Sequence, residues 1–135
     1  MITQKYINEL AYKVVGCAIE VHKHLGPGLL ESVYELCFID ELKSAGLNVQ
    51  SQVYISINYK DKNLGGILKL DILINDLIIV EIKAVETMIP LFQAQLLSYL
   101  KLAKKPKGLL INFNSENITK QLVPMVTEEF SKLPE

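Results

Sequence analysis

A chain of 135 residues, half of them hydrophobic, supports one core and is too short for two ordinary domains, so residues 1–135 read as a single domain. With 14 basic against 15 acidic residues the net charge is −1, which excludes a large positive field that would draw the chain to nucleic acid or membrane; any nucleic-acid partner would rest on local lysines such as Lys69, Lys83, Lys101 and Lys104. No apolar run approaches the roughly 20 residues that cross a bilayer, the polar N-terminus shows no signal peptide, and Cys17 and Cys37 read as buried free thiols of a reducing cytoplasm.

Residues 4–25 place Ile7, Leu10, Ala11, Val14, Val15, Ala18 and Ile19 at helical spacing. The "LGPG" segment breaks that helix, because glycine tolerates left-handed backbone and Pro27 donates no amide. A second helix is predicted over residues 30–45, ended by Gly46. The period then changes to two. "VYISINY" alternates as a half-buried strand, "KDKN" turns, and "GILKLDILI" and "LIIVEIK" are apolar enough to be covered on both faces. Asn75-Asp76 between them signals a hairpin. Pro90 opens a helix to residue 103, "KKPKG" ends it, and "LLINF" is a further buried strand. Residues 118–126 read as an edge strand with Pro124 in it, and residues 127–135 as a short or frayed helix. Three consecutive strands favour a meander, and the helix over 90–103 can cross over to make the next strand parallel. The expected architecture is α/β, a mixed sheet with helices on both faces.

Asp71, Glu81 and Lys83 are the charges in those apolar strands. Glu81 and Lys83 share one face near a strand end, where sheets hand over to loops and sites collect. Burying them without partners would cost several kcal/mol. Two close carboxylates suit a magnesium or manganese ion, and a lysine beside them suits a phosphate oxygen. The competing reading is an ion pair at the sheet edge, Glu81 with Lys83 or Lys69, or Asp71 with the neighbours of Lys69. Glu31 in "GLLESVY" sits in the first turn of a helix, as a dipole cap or as an inward acid. Gln95 and Tyr99 lie one helical turn apart, as a polar helix edge or as site residues. His22 and His24 suit the negative end of the first helix, and Glu20 a surface role or a further site acid.

"AIEVHKHLGPGLLESVYE", "LDILIND-LIIVEIKAVE", "AQLLSYLK" and "GLLINF", in that order, resemble the GxxExxY protein family of the PD-(D/E)XK nuclease superfamily. The resemblance runs from about residue 9 to 126. It implies a three-layer α/β/α domain with a restriction-endonuclease-like core and metal-dependent hydrolysis of nucleic acid, DNA by preference, with Mg2+ or Mn2+. By position, Asp71 and Glu81 resemble the two metal-binding acids and Lys83 the motif lysine; Glu31 resembles the acid given by the first core helix. Gln95 and Tyr99 match the Gln-x-x-x-Tyr motif, and Lys69 stands where an arginine is usual as a substrate contact. Phe92 stands where the family pattern has a histidine, and Leu68 where it has an aromatic. Two functions follow: a nuclease, or a module that keeps the fold and acids for binding without turnover. The sequence assigns no oligomeric state.

Register decides between a site and a coincidence. A two-residue turn at Asn75-Asp76 would set Asp71 opposite Val80, on the face away from Glu81. A shared site requires a three-residue connection over residues 75–77, or a bulge.

Overall fold

The computed structural model describes the backbone of all 135 residues and every side chain except that of residue 67. Helix α1 spans Gln4–Leu25 and α2 spans Glu31–Ser44; strands β1 (Val49–Tyr59), β2 (Lys62–Ile74) and β3 (Ile78–Lys83) follow. Helix α3 (Pro90–Ala103) leads to β4 (Lys107–Asn112), a 3-10 turn over Ile118–Gln121, β5 (Leu122–Val126) and a short α4 (Glu128–Ser131). The five strands lie in the order β1-β2-β3-β4-β5. Only β3 and β4 run parallel, joined by α3 as the crossover.

Local chemistry sets the boundaries. The Thr3 hydroxyl accepts the Tyr6 amide at 3.0 Å and caps α1. Gly26, at φ 67°, closes α1 by donating to His22 O. Pro90 occupies the first turn of α3, where a missing amide costs nothing.

Helices cover both faces, as expected of a three-layer α/β/α domain. Ile72, Ile74, Ile78, Val80, Ile82, Leu109 and Ile111 pack against α1 and α2. Leu73, Ile79 and Leu110 point the other way, against Leu96 and Leu100 of α3. This alternation is the period-two pattern of a sheet buried on both sides. Gly108 permits the close approach of α3, since a Cβ there would lie 2.8 Å from Leu100 Cδ1.

Several boundaries move. β1 begins at Val49 and β2 at Lys62, so the first hairpin is longer than its alternating core suggests. Residues 118–121 form the 3-10 turn, and the edge strand carrying Pro124 is only β5. Ile19 faces solvent, and Cys37 is only partly buried while Cys17 is buried; both thiols are free. No helix among the described residues is long and apolar enough to cross a membrane.

Strands β2 and β3 pair as Ile74–Ile78, Leu73–Ile79 and Ile72–Val80. The connection is therefore three residues, Asn75, Asp76 and Leu77. The Leu77 amide closes a turn onto Ile74 O at 2.9 Å, with Asn75 and Asp76 at φ 50° and 58°. Asn and Asp tolerate that left-handed backbone better than most residues. Leu77 is then the extra residue that shifts the ladder by one. Beyond Ile72–Val80 the strands diverge: β2 continues pairing with β1 alone.

Candidate active site

Continuing the β2–β3 register by one residue sets Asp71 opposite Glu81, at the mouth of the fork where the strands part. Asp71 Oδ2 accepts the Ile82 amide at 3.0 Å, and the Asp71 amide donates to Glu81 Oε1 at 3.4 Å. Each acid is thus fixed by the backbone of the facing strand.

Glu81 is buried, at 5% exposure. Burial first, then the neighbouring Asp71 carboxylate, pushes its carboxyl up to about 9; Lys83 opposes this weakly. Among the described residues, none of Asp71, Glu81 and Lys83 forms a salt bridge. The ion-pair reading of the strand charges is absent from the structure. Lys83 instead lies over the Phe92 ring, its Nζ 4.5 Å from the centroid.

Glu31 opens α2 and is exposed to solvent on one side. Partial desolvation, then the Asp71 charge, raises its carboxyl, while Lys83 lowers it, so the three groups act on one another. Tyr99 is raised likewise, by desolvation and then by Glu81, with Asp71 contributing; a hydrogen-bonding Gln95 side chain pulls the other way. Helix α3 therefore brings Gln95 and Tyr99 to the carboxylate pair. Lys69 is exposed on β2, two residues before Asp71. Lys101 and Lys104 lie elsewhere, around a surface recess with Asn58 and Asp61 at the far end of α3.

Three further residues shape the site. Tyr34 is fully buried, stacked on Phe113 with ring centroids 4.9 Å apart. Its hydroxyl donates to Gly26 O and accepts the Leu29 amide at 3.1 Å. This bond pair fixes the loop that delivers Glu31, which gives the Gly28, Glu31, Tyr34 spacing a structural reason. Asn112, buried at the end of β4, accepts the Val85 and Asn114 amides and donates to Val85 O and Gln121. Asn114 in turn accepts the Gly28 amide at 3.0 Å. Phe92 is the third. Of these, Tyr34 stood in the quoted "GLLESVY" motif, and Asn112 was open to detection as a polar residue within "LLINF".

The donor set fits a divalent cation. Two oxygen-donor acids face each other, one oxygen of each is held by backbone, and burial first, then the Asp71 charge, makes ionised Glu81 costly. Magnesium is commonly held by one or two carboxylates, with waters and substrate phosphates completing its shell. Among the described residues no group of three or more His, Cys, Asp or Glu is close enough to hold an ion. Glu31 is in electrostatic reach of the pair without joining such a group. His22 bonds Ser115 O at 2.6 Å, and His24 bonds Glu20, so neither enters the site.

A family model described as the PD-(D/E)XK nuclease superfamily matches residues 8–124. Comparison with curated proteins and with solved structures gave no match.

Proposed function

The chain belongs to the PD-(D/E)XK nuclease superfamily, and from that premise we propose that it is a divalent-metal-dependent nuclease acting on DNA, of the GxxExxY type. The supporting observation is the pairing of Asp71 with Glu81 across the fork, with Lys83 on the same face. An intracellular, cytoplasmic setting accords with the two free thiols.

Superfamily members generally use divalent metals, and here Asp71, Glu81 and Glu31 would hold the ion, Mg2+ or Mn2+, Glu31 directly or through water. The chemistry such an ion would supply there is a lowered pKa for a bound water and neutralisation of phosphate charge. The chain's own residues do the rest. The Ile82 and Asp71 amides hold the two acids against rotation. Lys83, half-buried and steadied by Phe92, offsets negative charge on the phosphate oxygens as the phosphorus is attacked. Gln95 and Tyr99 supply neutral donors beside the acids, and Lys69 contacts the nucleic-acid backbone one step along β2. Positioning of this kind, without covalent catalysis, is what phosphodiester hydrolysis needs.

The test is cleavage of labelled single- and double-stranded DNA with Mg2+, with Mn2+ and with chelator. Cleavage that needs the metal and disappears in Glu81→Ala and Lys83→Ala carries the proposal. Metal-independent cleavage, or cleavage that survives both substitutions, would sink it.

A further inference from the structure

Exposed apolar residues border the chain segments that carry the acids and Lys83. Leu30 directly precedes Glu31 and is 74% exposed; Leu91 directly precedes Phe92, the residue under Lys83, and is 68% exposed. Leu29 and Ile89 continue the same two edges. Tyr54, 67% exposed, stands across the β1–β2 ladder from Lys69, two residues from Asp71. Positive charge is sparse. All 14 basic residues are lysines, with no arginine to fork onto phosphates. Lys69, two residues before Asp71, and Lys83, two residues after Glu81, stand beside the acids in sequence, whereas Lys101 and Lys104 lie at the other end of α3.

Two lysines neutralise few phosphates. A duplex hides its base faces in the stack and offers an approaching protein mainly phosphates, sugars and groove edges. Exposed leucines and a tyrosine find their complement in the faces of unstacked bases. Resting on the nuclease reading above, we propose that the substrate class is nucleic acid with unpaired bases, a single strand or flap, and that Leu30 and Leu91 flank the scissile position and contact the bases on either side of it. Tyr54 takes a base further along β1.

Fluorescence anisotropy with a labelled oligonucleotide of about 20 nucleotides, single-stranded and as a duplex, tests this in calcium. The single strand should bind about tenfold tighter or better. With two lysines in contact, log K should fall with log salt at a slope of about −1.4. Leu30→Ser with Leu91→Ser should lower single-strand affinity about tenfold, in the range of lost base contacts. Both positions are exposed, so the fold stays intact, as circular dichroism will show. Equal or tighter duplex binding, or an unchanged double variant, overturns the proposal. Parallel cleavage assays separate the two readings. Metal-dependent cleavage of duplex with weak single-strand binding rejects unpaired bases and keeps the nuclease. A leucine-dependent single-strand preference without metal-dependent cleavage rejects the nuclease and keeps the binding surface.

Discussion

Asp71 and Glu81 each grip the other's strand: the Ile82 amide reaches Asp71 Oδ2 at 3.0 Å, and the Asp71 amide reaches Glu81 Oε1 at 3.4 Å. The two acids are thereby held close at the point where the sheet opens. Their repulsion is built in, and a cation relieves it.

Asp71→Asn keeps an oxygen for the Ile82 amide and removes the charge that opposes ionised Glu81. Calorimetry should show divalent-cation binding lost. Without metal, near pH 9 where Glu81 ionises, the variant should melt at the same temperature or higher, by roughly 2–4 °C for about 1 kcal/mol of repulsion relieved. Unchanged magnesium affinity would remove Asp71 from the site.

Glu81 makes stability depend on pH. Its ordinary value of 4.5 rises to about 9 in the fold. Between these values the folded chain keeps a proton that the unfolded chain has released, so metal-free stability falls as pH rises from about 5 to 9. The slope for one proton is at most about 1.4 kcal/mol per pH unit. Glu81→Gln should flatten this profile in urea titrations. Magnesium, which favours the ionised form, should stabilise the wild type more at pH 8.5 than at pH 5.5. A wild-type profile that rises through this window would contradict the buried, protonated acid.

Tyr34→Phe keeps the stack on Phe113 and deletes the hydroxyl that joins Gly26 O to the Leu29 amide. Denaturant unfolding should show a loss of about 1–3 kcal/mol, because two backbone groups lose a partner. The loop carrying Glu31 should exchange its amide hydrogens faster, which hydrogen-exchange mass spectrometry would detect.

Phe92→Leu removes the ring beneath Lys83. A contact worth about 0.7–2 kcal/mol corresponds to a threefold to thirtyfold fall in kcat, while Phe92→Tyr should retain most activity. Equal loss in both variants would mean that the ring face beneath Lys83 is not what Phe92 contributes.

Much of this site was legible because strands count in twos. Ile79, Glu81 and Lys83 lie on one parity, and the demand that Asp71 join them required the three-residue connection that the structure contains. Asp71, Glu81 and Lys83 could be found because charge is conspicuous in an apolar run. Phe92 could not, since its contact with Lys83 joins a helix to a strand and no spacing encodes it. Tyr34 stood in a recognisable motif, but its reason, a hydroxyl bridging a turn, is visible only with the loop folded back. The early start of β1 was hidden by Gln52, whose left-handed backbone at φ 53° interrupts the alternation opposite Asp71.

The connection at residues 75–77 has a consequence for how this chain can vary. Surface hairpin loops are ordinarily where length changes are absorbed most easily. This one is pinned, by Asn75 exchanging hydrogen bonds with Asn48 at both its amide and its side chain, and by Lys105 reaching Asp76 at 2.8 Å. It also counts. Removing Leu77 would leave a well-formed two-residue turn and a sheet still able to pair, yet it would swap the faces of one strand against the other. The exposed loop, distant in chemistry from any phosphate, is thus the place where a single-codon deletion would separate the fold from its carboxylate pair.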